Sequence, residues 1–179
     1  MSRIAESSPS KTRLLLVSGG SLIGQNILDA LSSRRDHVEL AAINSVAQGS
    51  SLFDFDRVHL APPTLAQPQA FERRLLEVLA EEQPHLVIPC RDDDVVFLAD
   101  LKARRPEIGA RFLCGNLETA QIANDKWLSW QFSVANALPF APTLATPVHE
   151  GLEDFVEAHG FPLLAKPRNG VLADGRSVV

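Results

Sequence analysis

The sequence predicts an α/β fold, a doubly wound parallel sheet of about five strands with helices on both faces. Two observations carry that expectation. Short apolar runs alternate with longer stretches in which apolar residues recur every three or four positions, the pattern of strands alternating with helices. Several of the runs also stop at glycine or proline, as buried parallel strands do.

The first run is Leu14, Leu15, Leu16 and Val17, ending at Ser18-Gly19-Gly20. Ile23, Ile27 and Leu31 follow at helical spacing with Leu28 beside them, one face of a helix. Val38 to Ile43 reads as the second strand, and Val58 to Ala61 as a short third, closed by Pro62 and Pro63. Phe71, Leu75, Val78 and Leu79 then form a helical stripe opposite Glu72, Arg73, Arg74 and Glu77. His85 to Pro89 is the fourth strand. Asp92, Asp93 and Asp94 open the next helix, where carboxylates favour the positive end of the dipole; Leu98 and Leu101 continue its apolar face. Arg111 to Cys114 is the fifth strand. Leu15, Val17, Ile88 and Leu113 are the expected core of the sheet.

After Gly115 the texture changes. Asn116 is a candidate N-cap, and Ala123, Trp127, Trp130 and Val134 recur along one helix. Pro139 and Pro142 end it and lead an extended piece. Leu152, Phe155, Val156 and His159 mark another helix. Leu163 to Lys166 reads as a strand that enters a glycine-bearing loop. Residues 1–12, rich in serine and charge, read as a flexible tail.

The 179 residues suit one domain, or one domain with part of a second. No apolar run approaches the roughly 20 residues that cross a bilayer, and the N-terminus has no apolar segment of the secretory kind. A net charge of −5 gives no basic surface, so nucleic acid is not an expected partner. Cys90 and Cys114 are spaced neither as a metal knuckle nor as a disulfide framework. A cytoplasmic setting is expected.

Gly19, Gly20 and Gly24 resemble a dinucleotide fingerprint, but their spacing is not G-x-G-x-x-G. Asn44 and Ser45 follow Ile43, where a nicotinamide-binding chain places an acidic ribose ligand. A tight strand-to-helix turn is the simpler reading. Gly170 to Ser177 differs from a phosphate-binding loop at one residue, with Arg176 in the place of lysine, and is not expected to open the helix that such a loop needs. Cys90 and Cys114 read as small buried hydrophobes. The five histidines are scattered, with no metal-ligand spacing. Asp92 to Asp94 read as a capped, solvated helix start rather than a metal site. Lys126, beside two tryptophans, and Lys166, at the end of an apolar strand, are candidate ligands whose plain alternative is an exposed lysine.

Five stretches, SGGSLIGQNILDAL, VIPCRDDDVVFLADL, FLCGNLETAQIANDKWLSWQF, LPFAPT and GFPLLAKPRNG, together resemble the N-terminal part of ATP-grasp enzymes. The likeness is nearest to carbamoyl phosphate synthetase large-subunit-like proteins. Asp125-Lys126, the proline turn before Thr143 and the Gly-Phe-Pro to Lys-Pro stretch carry most of it. The resemblance implies a Rossmann-like preATP-grasp domain over residues 13–115 and the opening, incomplete part of an ATP-grasp domain over residues 116–179. It implies ATP binding by Lys126, Lys166, Arg168, Asn169, Gly170 and Gly175, on a loop that closes over the phosphates. It further implies an acyl phosphate made from ATP and a small carboxylate, then attacked by an amine or similar nucleophile. The loop RNGVLADGRS has fewer glycines than many relatives.

On this resemblance magnesium ligands lie further along the family's chain, so no residue here is assigned a catalytic or metal-binding role, and the 179 residues alone are expected to be inactive. No membrane contact is implied, and a homodimer is compatible with it. A non-catalytic nucleotide- or partner-binding module is the alternative, with a nicotinamide-binding protein behind it.

Overall fold

The computed structural model describes residues 11–145 and 151–170. The chain divides into two compact units, Met1–Asn116 and Leu117–Val179.

The first unit holds four strands: β1 (Thr12–Val17), β2 (Val38–Asn44), β3 (Arg57–Leu60) and β4 (Leu86–Pro89). All pair in parallel, in the order β3-β2-β1-β4. Parallel neighbours need crossovers, and helices supply them. Side chains alternate across the sheet. Leu15, Val17, Ala41, Ile43 and Val87 face α2 (Pro68–Glu82) and α3 (Asp92–Arg104), which bring Phe71, Leu75, Val78, Leu98 and Leu101. Leu16, Leu40 and Ala42 face the other way, against Leu28 of α1 (Leu22–Leu31) and Leu52 and Phe55 of the next connection. Both faces are covered, so the strands read as continuous apolar runs. Each fully buried leucine or valine adds about 1.5–3 kcal/mol of transfer free energy.

The helix ends follow local chemistry. Ser21 caps α1 by accepting from the Gly24 N–H. Pro68 opens α2, and Gln83 closes it in a left-handed conformation. The glycine turn is a packing solution. A Cβ on Gly24 would lie 1.9 Å from the Gly19 carbonyl oxygen, and one on Gly19 would lie 2.8 Å from the Ala42 Cβ. Neither clash leaves room for a side chain.

Several segments depart from the pattern of their sequence. The fifth strand is only a bridge between Phe112 and Val87, held by two backbone hydrogen bonds at the sheet edge. Leu113 is therefore 57% exposed, and Ile88 is half-buried. Alternation sends Phe112 inward and its neighbour outward. Ile23 is exposed, because the buried face of α1 is Gly24 and Leu28. Gly24 packs closely against the first turn, and the buried face begins there, one residue after Ile23.

The Asp92–Asp94 run is not a uniformly solvated start. Asp94 is 2% exposed and accepts a hydrogen bond from Thr64 Oγ1 at 3.0 Å. A short helix α4 (Pro106–Gly109) completes the unit.

The second unit contains α5 (Leu117–Asn124), α6 (Lys126–Ala135) and α7 (Leu152–His159). One helix was expected over the span of α5 and α6. Asp125 breaks it with non-helical dihedrals (φ −110°, ψ 112°). Over 163–166 only Ala165 is in a β-bridge, and Leu164 and Lys166 are exposed, so the apolar run makes a single bridge rather than the continuous strand expected.

Candidate functional site

Asp125 organises the second unit. One carboxylate oxygen accepts from the N–H groups of Trp127 at 2.9 Å and Leu128 at 3.1 Å, capping α6. The other accepts from Arg168 Nε at 2.7 Å. The hydrogen bond from Arg168, aided by the two N–H groups, holds the Asp125 carboxyl below its usual range, against an opposing effect of burial. The same pairing raises Arg168.

The backbone completes the clamp. Lys126 N–H donates to the Arg168 carbonyl at 3.0 Å, Asp125 and Asn169 form an antiparallel bridge, and the Asn169 amide reaches the Asn124 carbonyl at 3.5 Å. Lys126 Nζ donates to the Gly170 carbonyl at 2.9 Å. Gly170 holds a φ of 64°, and a Cβ there would meet no described atom within 4 Å; the backbone conformation is what suits glycine.

The structure thus brings together Lys126, Arg168, Asn169 and Gly170, which are 42 or more positions apart from the lysine in sequence. Lys166 lies in the same segment, exposed, with no hydrogen bond or ion pair to the described residues. Gly175 and the rest of the expected loop, 171–179, lie outside the described residues. The ring systems of Trp127 and Trp130 stack on α6 with centroids 4.5 Å apart. Asp125 as the pivot was missed from sequence. Its position as cap residue, immediately before a lysine, was the available signal.

Three sequence candidates in the first unit resolve differently. Asn44 stands where a ribose-binding acid would stand, but both ends of its amide are engaged: Oδ1 accepts from Gly20 N–H at 3.4 Å and Nδ2 donates to Val46 O at 2.7 Å. Cys90 is 1% exposed, and burial pushes its thiol up to about 12, which leaves little thiolate. His59, scattered by sequence, meets Glu82 at 2.6 Å and Glu81 at 3.9 Å. That is the one His and carboxylate group among the described residues tight enough to hold a cation. Arg57, however, already pairs with both oxygens of Glu82. The cluster therefore ties β3 to α2 as an ion network.

No protein-family profile and no curated protein matches the sequence. Solved structures do match. An L-amino acid ligase from Bacillus licheniformis superposes with a TM-score of 0.64 at 15% identity, over 92% of this chain and 39% of that one. N5-carboxyaminoimidazole synthetase from Staphylococcus aureus gives 0.64 at 12% identity, over 94% and 41%. The biotin carboxylase domain dimer of Hydrogenobacter thermophilus 2-oxoglutarate carboxylase, bound to MgADP, ADP and bicarbonate, gives 0.59 at 15%, over 90% and 36%.

This is the N-terminal fold of the ATP-grasp enzymes.

The chain spans roughly two-fifths of the length of these ATP-grasp neighbours. At such identities the likeness establishes the fold, and chemistry is argued from the chain's own residues. No helix among the described residues is long and apolar enough to cross a membrane.

Proposed function

We propose that this chain supplies the N-terminal, phosphate-facing part of an ATP-dependent ligase that activates a small carboxylate and transfers it to an amine. Residues 13–115 serve as its preATP-grasp domain and 116–179 open the ATP-grasp domain; a carbamoyl phosphate synthetase-like branch is the finer assignment. The supporting observation is the Asp125 clamp, which holds Lys126 against the segment that carries Lys166, Arg168 and Gly170.

The donor set fits an ATP polyphosphate. Among the described residues the Lys126 ammonium has a neutral carbonyl as its one partner, and Lys166 has none. Bound ATP supplies the phosphoryl group and roughly four negative charges, which ammonium groups and backbone N–H groups offset. Lys126 Nζ leaves Gly170 to take a phosphate oxygen. Asp125 keeps α6 and the loop in register while it does so. Arg168 stays turned toward Asp125, which leaves its other guanidinium donors available. Magnesium is a different matter. No metal-sized group of carboxylates gathers among the described residues of this unit, so no step is assigned to the ion.

The test is equilibrium binding of ATP and of NAD to the chain. ATP is expected to bind, and Lys126→Ala and Lys166→Ala are each expected to weaken it about tenfold, since a hydrogen bond to a charged group contributes about 1.5–3 kcal/mol. NAD is expected not to bind. Micromolar NAD binding with no ATP binding overturns the proposal.

A further inference from the structure

A cavity of about 200 Å³ opens beyond the carboxyl ends of the strands. Each strand contributes to its wall: Ser18 after β1, Asn44 at the end of β2, Pro62 after β3 and Arg91 after β4. In open α/β sheets this is where ligands gather. Ile43, Leu65 and Phe71 make the remaining wall largely apolar.

The polar groups of the wall are unequal. Asp94 lines the cavity and is 2% exposed. Thr64 satisfies its Oδ1, while its Oδ2 has no hydrogen-bond partner. A buried polar atom without a partner costs free energy, and such atoms are few in native chains. Burial drives the carboxyl of Asp94 above its usual range, eased in part by the Ser18 and Thr64 hydroxyls and by the charge of Arg91. Arg91 is the opposite case. Its side chain is 58% exposed, and among the described residues its one ion pair is with Asp93, at 3.9 Å, which leaves most of its fork without a described hydrogen bond.

We propose that this cavity binds a small α-amino acid, with the ammonium group against Asp94 and the carboxylate against Arg91. An ammonium group supplies both the donor that Oδ2 lacks and the positive charge that a buried carboxylate needs. Arg91 matches a carboxylate in the two-pronged geometry that guanidinium favours. The apolar wall accepts a short aliphatic side chain. A bare divalent cation is opposed by Arg91, and a phosphate is repelled by Asp93 and Asp94. A nucleotide is too large, since sites for larger ligands are about 300–1,000 Å³. The role of this amino acid as the amine nucleophile rests on the ligase reading above; its binding does not.

The experiment titrates glycine, L-alanine and L-valine into the whole chain without ATP, read by calorimetry and by amide shifts of Ser18, Asn44 and Thr64. Saturable millimolar or tighter binding is expected, with methylamine, acetate and magnesium chloride each roughly tenfold weaker or inert. Asp94→Asn keeps the shape and the Thr64 contact and is expected to weaken binding at least about tenfold. Arg91→Gln, at an exposed position, is expected to weaken it several-fold with the melting temperature unchanged.

Absence of saturable shifts overturns the proposal, as does binding that survives both substitutions or a response to magnesium rather than to amino acids. A chain that binds the amino acid but not ATP keeps this site and loses the ligase reading; the opposite result loses only this site.

Discussion

Asp94 and Asp125 both stand at the start of a helix, and their surroundings push them in opposite directions. Asp94 is buried with one oxygen unpaired, so its carboxyl titrates above its usual value. The folded chain then holds a proton that the unfolded chain has released. Stability contributed by this group is present at low pH and declines as pH rises past the ordinary carboxylate range. Asp94→Asn should therefore raise the melting temperature at neutral pH and leave it little changed near pH 4, about the ordinary carboxylate value; calorimetry across that range checks it.

Asp125 is the reverse, with its carboxyl held low by Arg168 and by capped N–H groups. Its contribution is present at neutral pH and is lost as pH falls through its depressed value. Asp125→Ala should destabilise α6 by about 1 kcal/mol through the lost cap alone. Asp125→Asn should keep much of the cap and remove the acid sensitivity. The chain's two tryptophans both lie in α6, so their fluorescence reports this unit.

At the level of elements, the β1–α1 turn shows why glycine recurs there. Gly24 lies so near the Gly19 carbonyl that a methyl group cannot be placed without moving backbone. Gly20 is less constrained, with side-chain neighbours at 3.1–3.3 Å. Gly24→Ala should thus cost about 3 kcal/mol, at the upper end for overpacking, while Gly20→Ala should cost clearly less. Denaturant midpoints of the two variants, at constant slope, measure the difference. Equal midpoints would show that the turn yields more readily than its geometry indicates.

For the whole molecule, the distribution of the core decides which part stands alone. Among the described residues, Ala120 is the one buried apolar residue of the second unit, whereas the first holds two clusters on the two faces of its sheet. The second unit also presents Phe132, Phe140, Phe161 and Leu164 to solvent. A chain of residues 1–116 should melt cooperatively within a few degrees of the full chain's first-unit transition. A chain of residues 117–179 should show no cooperative melt, because it buries too little apolar surface to offset chain entropy. Calorimetry of the two pieces checks both expectations. A sharp transition in the second piece would show that its helices are held by more than the described contacts.

The sequence by itself determined the four strands and the helices between them, because a sheet buried on both faces leaves uninterrupted apolar runs such as Leu14 to Val17. It also determined the glycine turn, since no other residue fits there. The edge segment at Phe112 and the apolar run at 163–166 misled it, because whether such a run becomes a strand depends on a partner elsewhere in the chain.

The site was legible only in part. Lys126 and the Lys166 to Gly170 segment could be singled out, but their approach depends on Asp125, whose ion pair needs a group 43 positions away. Asp94 could not be told from Asp92 and Asp93 by composition. Only the packing of Thr64 and the cavity wall around it removed one carboxylate of three from water, and burial, unlike helix position, is a property of the folded chain.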